Sequence, residues 1–173
     1  MNLRPLAVLF DFHGVLCHDH FYASTLLPAR VEVNAWIQQN IFRDVETVRA
    51  WMRGQIDWRT LHDRIVVATG MDRDELDRRF IESVKQMRIE QEMMDLAREL
   101  KQADYTIAIV TDNMDIFSEV TVPHQRLLET FDFIFNSADH GLLKLDEHGK
   151  LFQHVAETIG ISIESSTMID DSK

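Results

Sequence analysis

Three short clusters of polar residues in this sequence carry side chains that could do chemistry together. Each follows an apolar run, and the clusters are Asp11-Phe12-His13-Gly14, Thr111-Asp112-Asn113 and Asp170-Asp171. A lysine, Lys144, lies between the last two clusters. If the carboxylates of the first and last clusters meet, they repel one another without a cation, and their hard oxygen atoms suit Mg²⁺. We therefore expect a metal-binding crevice that also holds a hydroxyl group and a lysine.

The apolar runs before the clusters predict the strands that must position them. Residues 6–10 and 106–110 are typical of parallel strands buried on both faces, and residues 133–135 and 167–169 predict two shorter strands. Ligands of open α/β sheets bind outside the carboxyl ends of the strands. Because helical segments alternate with these strands, we predict an α/β fold with a parallel sheet and one shared crevice.

Several segments between the strands have the periodicity of helices. Residues 31–88 contain no convincing strand, and within them Asp72 and Glu75 form a capping-box pair after a helix that ends at Gly70. Pro123 is predicted to start a later helix. That helix would carry Leu127, Leu128 and Phe131, and the last predicted helix ends at Gly160. The stretch after the first strand therefore reads as an all-helical module.

Composition limits the classes of partner and compartment. The 173 residues carry a formal net charge of −11, which disfavours nonspecific binding to nucleic acid or anionic membranes. The single cysteine, Cys17, excludes an internal disulfide, and we interpret it as a buried spectator thiol in a reducing compartment. The apolar run near the N-terminus is too short for a signal peptide or a membrane span. We expect a cytoplasmic protein with neither nucleic acid nor a membrane as partner.

In their order and content, the three clusters and the segment with Lys144 resemble the four motifs of the haloacid dehalogenase-like (HAD) superfamily along the whole core. The matching segments are Leu9-Phe10-Asp11-Phe12-His13-Gly14-Val15-Leu16, Ile109-Val110-Thr111-Asp112-Asn113, Ser137 to Asp146 with Gly141-Leu142-Leu143-Lys144 inside it, and Met168-Ile169-Asp170-Asp171-Ser172. The helical module resembles the small cap that many members insert after motif one. The resemblance implies a Rossmann-like α/β core over residues 1–16 and 90–173, with an inserted all-helical cap over residues 17–89.

The resemblance also implies an activity and a role for each site residue. It implies a Mg²⁺-dependent phosphatase that forms an aspartyl-phosphate on Asp11 and acts on a small phosphorylated metabolite. The implied catalytic residues are Asp11, His13, Thr111 and Lys144. The implied metal ligands are Asp11, the backbone carbonyl of His13, Asp171 and, directly or through water, Asp170. Phosphate oxygens would be held by the Thr111 hydroxyl, by backbone N–H groups near Asp112 and Asn113, and by Lys144.

His13 departs from the family pattern, because phosphatases of this family usually have a second Asp there. That Asp protonates the leaving oxygen and later activates water, and an imidazole can do the same work. Three functions stay open: a working phosphatase, a catalytically impaired HAD-like binding or regulatory protein, and a dehalogenase-type hydrolase. Dehalogenases of this superfamily need neither an acid at residue 13 nor a metal, and the doubled Asp170-Asp171 argues against that function.

Three smaller features complete the expectations. His18-Asp19-His20 could join Asp11 and His13 in a transition-metal site, but a polar linker into the cap is favoured. Lys150 is a weaker competitor for the role of Lys144. Family members normally continue past motif four with another strand and helix, whereas this sequence ends at Lys173. We therefore expect a fragment, or a core whose C-terminal unit is missing and whose uncovered sheet edge invites a homodimer.

Overall fold

The computed structural model describes residues 7–22 and 30–171, and a parallel sheet lies at its centre. Its four strands are β1 (Ala7–Phe10), β2 (Thr106–Thr111), β3 (Phe133–Asn136) and β4 (Ser166–Ile169), in the order β3-β2-β1-β4. All three strand pairs are parallel. The predicted Rossmann-like α/β sheet is confirmed. Leu6 of the first predicted strand and Ser172 of the fourth motif lie outside the described residues.

Helices fill the connections between the strands. In the part of the chain that the structure describes they are α1 (Val31–Ile37), α2 (Val45–Met52), α3 (Trp58–Thr69), α4 (Arg73–Lys85), α5 (Gln91–Gln102), α6 (Val122–His124), α7 (Ser137–His140) and α8 (Lys150–Ile159). Helices α1 to α4 follow β1 without an intervening strand among the described residues, as predicted. Whether residues 17–89 form a separate cap domain stays a prediction. None of the described helices is both long and apolar enough to traverse a bilayer.

Side-chain caps explain where two of these helices begin. The Asp57 carboxylate accepts the Thr60 N–H at 2.7 Å at the start of α3, and the Asp72 carboxylate accepts the Glu75 N–H at 2.8 Å at the start of α4. Each cap supplies a partner to an N–H group that the first helical turn leaves unpaired. Helix α3 ends at Gly70 in the left-handed region, as predicted from the sequence.

The prediction for the segment after Pro123 is wrong in part. Helical structure begins earlier, in a π-helical turn (Phe117–Thr121), and Pro123 is the second residue of the short α6. Arg126 then adopts a φ of 54°, which interrupts the helix, so Leu127–Glu129 form only a 3₁₀ turn. As a result Leu127 is buried, whereas Leu128 is exposed.

The two faces of the sheet pack against different parts of the chain. Alternate strand residues point to opposite faces, so neighbouring positions join separate apolar clusters. One face, with Phe10 and Ile109, packs into a large cluster that includes residues of α1 to α4. The other face, with Leu9 and Val110, packs against Leu151 and other residues of α8. The helical module and the sheet thus share one continuous core.

His62 on α3 is a fully buried histidine in that core. Its Nε2 lies 2.9 Å from the Tyr22 hydroxyl, and its Nδ1 contacts the Asp77 carboxylate. Burial lowers the pKa of His62 below its usual 6.5, and the contact with Asp77 only partly opposes this effect. The imidazole is therefore neutral in the folded protein at neutral pH.

This lowered pKa predicts an acid-sensitive stability. Below pH 6.5 the unfolded chain binds a proton at His62 that the folded chain refuses. The free energy of unfolding should therefore fall as the pH drops from about 7 towards about 5, by up to about 1.4 kcal/mol per pH unit while only the unfolded form is protonated. Urea unfolding across this range should show a flatter profile for His62→Gln. The exposed-histidine control His124→Gln should keep the parent slope, and equal slopes for all three proteins would refute the assignment.

Candidate active site

Asp11 stands where β1 ends, and its carboxylate is held by the chain around it. The Asp11 N–H donates to the Ile169 carbonyl of β4 at 2.9 Å, and Asp11 Oδ1 accepts the Phe12 N–H at 2.7 Å. Phe12 is buried against Phe117, with ring centroids 4.7 Å apart. These contacts fix the Asp11 carboxylate at the carboxyl end of the sheet and leave Oδ2 for other partners.

Lys144 joins the first and last polar clusters. Its Nζ lies 2.6 Å from Asp11 Oδ2 and 2.6 Å from Asp170 Oδ2, and the three side chains are only 11–16% exposed. Burial lowers the pKa of Lys144, but hydrogen bonds to Asp11 and Asp170 outweigh burial and raise it above its usual value. The amine is therefore a stable ammonium ion. The weaker candidate, Lys150, is exposed and pairs with Glu147 instead.

Two carboxylates, those of Asp112 and Asp146, hold the loop that carries Lys144. The Lys144 N–H donates to Asp112 Oδ1 at 2.8 Å. Asp146 accepts two bonds of 2.7 Å from Arg53, which follows α2, and a third of 3.0 Å from the Leu143 N–H. The Arg53 guanidinium lowers the pKa of Asp146 to about 2. The helical module is thus tied to the lysine loop. Sequence reasoning missed this contact because nothing in the local sequence of Arg53 or Asp146 indicates that the two residues pair.

The carboxylates of Asp11, Asp170 and Asp171 form the acidic part of the site. Each offers an oxygen atom, and these three atoms lie within 4.8 Å of one another. Oxygen ligands of this kind suit Mg²⁺, so the residues fit the predicted ion. No other group of three or more histidines, cysteines or acidic residues is this close in the described ranges 7–22 and 30–171. The alternative transition-metal site at His18-Asp19-His20 gains no support.

Gly14 lets Asp171 approach the end of β1. Its φ of +84° lies in the left-handed region, and a Cβ atom at this position would overlap the Asp171 carboxylate. Only glycine meets both conditions without strain. The glycine of the first polar cluster is therefore tied to the position of the last one.

Gly14→Ala should therefore damage the acidic site as well as the fold. The left-handed conformation alone costs an alanine roughly 1–2 kcal/mol of stability. The overlap with Asp171 adds to this cost and should weaken Mg²⁺ binding, which calorimetry can measure. Gly160→Ala is the matched control, since Gly160 has a φ of +76° with open space around it. The control should lose stability but keep the parent Mg²⁺ affinity, and equal affinities in both variants would contradict the assignment.

Thr111 and Asn113 lie at the end of β2. The Thr111 side chain is fully buried, and its Oγ1 has no hydrogen-bond partner among the described residues. Buried polar atoms nearly always have a partner, so a phosphate oxygen that reached this hydroxyl would supply a missing one. The Asn113 N–H already donates to Ser137 Oγ at 3.0 Å, and that hydroxyl donates to the Met52 carbonyl at 2.7 Å. In this structure the Asn113 N–H, a predicted phosphate donor, is therefore engaged by Ser137.

A cavity of about 520 Å³ opens beside the acidic site. His13 and His20 line it, with ring centroids 5.1 Å apart. Partial loss of hydration at the cavity wall and the neighbouring His20 lower the pKa of His13, although its side chain is exposed, and Asp11 and Asp171 oppose this effect. Cys17 lies nearby but is fully buried, and burial raises its thiol pKa to about 11. Such a thiol is a poor nucleophile, which agrees with the predicted spectator role.

The sequence and the fold both have known relatives. A sequence profile of haloacid dehalogenase-like hydrolases matches residues 5–173. No curated protein sequence matches the chain significantly.

Three similar solved structures illustrate the shared fold. A HAD family enzyme from Bacteroides thetaiotaomicron, in complex with magnesium and inorganic phosphate, is 18% identical with a TM-score of 0.67, over 96% of this chain and 85% of that chain. A predicted HAD-like family hydrolase from Porphyromonas gingivalis is 18% identical with a TM-score of 0.66, over 96% and 82%. The L-2-haloacid dehalogenase from Xanthobacter autotrophicus, with chloropropionic acid covalently bound, is 17% identical with a TM-score of 0.64, over 94% and 68%.

Proposed function

Because the chain belongs to the haloacid dehalogenase-like hydrolase family, we propose that it is a Mg²⁺-dependent phosphatase for a small phosphate monoester. The observation that carries this proposal is the meeting of Asp11, Lys144 and the acidic pair at one end of the sheet. Two cations, the lysine and a divalent ion, would face the anionic phosphoryl group there. The solved relative with magnesium and inorganic phosphate supports the same choice.

In the proposed reaction Asp11 is the nucleophile. Its Oδ2 forms a bond to phosphorus while the bond between phosphorus and the leaving oxygen breaks, and His13, in its protonated form, gives that oxygen a proton and becomes neutral. Water, which loses a proton to His13, then attacks phosphorus and releases phosphate and the free Asp11 carboxylate. The Lys144 ammonium neutralises charge on Asp11 and on the phosphoryl oxygens, and Thr111 donates its hydroxyl hydrogen to one of them.

A bound Mg²⁺ would be held by Asp11, Asp170 and Asp171, with the His13 carbonyl as a further proposed ligand. The ion would supply positive charge to the phosphoryl oxygens and reduce the repulsion among the three carboxylates. Asp112 would act indirectly, because its carboxylate holds the backbone of the lysine that faces the phosphoryl group.

The test of the proposal is hydrolysis of an aryl phosphate, with and without Mg²⁺, beside halide release from 2-chloropropionate. We expect phosphate release that depends on Mg²⁺, no halide release, and altered turnover in His13→Asp. If the His13→Asp variant hydrolysed the aryl phosphate and the parent did not, the parent would be an impaired binding protein instead. Halide release without metal would identify a dehalogenase. His124→Asp is the matched control, since it makes the same exchange at an exposed histidine outside the cavity, and it should keep parent activity.

A further inference from the structure

The cavity beside the acidic site has a largely apolar surface, which is unusual for a site that takes a charged substrate. Six of the side chains that line it are apolar: Phe21, Phe42, Val48, Met52, Met87 and Met114. Phe42, Val48 and Met52 lie in the helical module. Phe21 follows β1, Met87 follows α4 and Met114 follows β2. Its volume of about 520 Å³ lies within the usual range for small-molecule sites. The group attached to the phosphate therefore meets a mainly apolar surface.

Asn34 is the residue that α1 contributes to the described lining of the cavity. It is only 9% exposed, it lines the cavity, and its side chain makes no hydrogen bond with any of the described residues. Its polar atoms are not among the fully buried atoms that lack a partner, so the amide keeps access to the cavity and can exchange water for a ligand there. Gln38, one helical turn further on, lines the cavity on the same side but is exposed. The Asn34 amide thus offers one donor and one acceptor to a ligand in the cavity.

Charge limits the ligand further. No lysine or arginine occurs among the described residues that line the cavity, whereas Asp19 and Asp112 do. Asp19 is engaged by Arg88, whose N–H donates to it at 2.8 Å and whose side chain is mostly exposed to solvent. A second anionic group seated against the apolar wall, and not against His13 or His20, would find no lysine or arginine among the described lining residues. Burial of an unpaired carboxylate or phosphate is strongly unfavourable.

We infer that Asn34 determines specificity, and that the substrate is the phosphate ester of an uncharged, largely apolar alcohol with one further hydrogen-bonding group. The phosphate end lies against the acidic site, the carbon skeleton lies along the apolar wall, and the further group pairs with the Asn34 amide. This inference rests on the proposed phosphatase function. It also disfavours substrates with a second phosphate or a carboxylate, such as haloacids.

The test measures binding separately from turnover. Alkylphosphonates of four, six and eight carbons resist hydrolysis, and each length is used with a methyl, a hydroxyl or a carboxylate terminus. Calorimetry with Mg²⁺ should show that a terminal hydroxyl tightens binding to the parent by about tenfold at the length that reaches Asn34, because one buried hydrogen bond is formed. The carboxylate series should bind more weakly than the methyl series at every length.

Asn34→Leu, of similar size, should remove the preference for hydroxyl while its affinity for the methyl series stays within about threefold of the parent. Asn34→Ala should also lose the preference, which provides a second variant if leucine disturbs the fold. The control is Asn40→Leu, because Asn40 is exposed and its amide donates to the Trp36 carbonyl. This control should keep the preference.

The outcomes separate the two proposals. The specificity inference is overturned if the parent binds no phosphonate, prefers the carboxylate, or shows no hydroxyl preference at any length. It is also overturned if Asn34→Leu and Asn34→Ala keep the preference. The phosphatase proposal is tested separately, by phosphate release from the corresponding alkyl phosphates. Hydroxyl preference without phosphate release would leave the binding specificity standing and remove the proposed reaction.

Discussion

Asp11→Asn is expected to lower phosphatase turnover by at least about a thousandfold, because the proposed reaction begins with its carboxylate oxygen. Asparagine has nearly the same shape but is uncharged and a poor nucleophile. The amide oxygen can still accept the Phe12 N–H, and Lys144 keeps its bond to Asp170, so the fold should survive. The measurements are kcat with an aryl phosphate and acid-quenched mass spectrometry. The parent should show a phosphoryl group on Asp11, and the variant none.

The matched control for this change is Asp139→Asn. Asp139 is exposed and accepts the Ser118 hydroxyl, outside the proposed machinery. It should keep parent turnover with the same change of charge. If Asp11→Asn kept more than about a tenth of parent turnover, Asp11 could not be the nucleophile.

Lys144→Met should combine a large loss of activity with a change in how stability depends on metal. The variant leaves Asp11 and Asp170 without the ammonium ion that bridges them, beside Asp171. Removal of one partner from a buried ion pair typically costs about 3–5 kcal/mol. We expect a loss of that order in the free energy of unfolding in EDTA, and turnover lower by about a hundredfold or more.

Mg²⁺ should restore much of the stability of Lys144→Met, because an ion that binds only the folded state stabilises it and here replaces the missing charge. Urea unfolding in EDTA and in excess Mg²⁺ measures the difference. Lys150→Met is the matched control, since Lys150 pairs with Glu147 at the surface, and its stability should respond to Mg²⁺ as the parent does. A Lys144→Met protein as stable as the parent in EDTA would argue against the bridging role.

The strands and their ends could be predicted from the sequence because their signals are local. Continuous apolar runs require burial on both faces, and parallel strands bring their carboxyl ends to one edge. For this reason residues as distant in sequence as Asp11 and Asp170 were expected together. Lys144 was expected with them from its motif, and its side chain contacts both.

The remaining contacts could not be predicted because they depend on how separate elements pack. Arg53 and Asp146 are common surface residue types, and nothing in their local sequence indicates that they pair. Asn34 lies in a short helix whose buried face could only be known once the cavity was formed. The prediction of a helix from Pro123 through Phe131 was wrong for a related reason. Arg126 adopts a left-handed conformation, and because it is not a glycine this interruption could not be predicted from the residue type.

The pairing of Arg53 with Asp146 bears on the order in which a ligand enters and Lys144 is positioned for the proposed reaction. Asp146 steadies the same loop that presents Lys144, and Arg53 belongs to the helical module that walls the cavity. Were that module to swing outwards to admit a ligand, this pair would have to part, and the loop would lose a support while the cleft stood open. Lys144 would then be held in position for the proposed reaction only once the module had closed over the bound ligand.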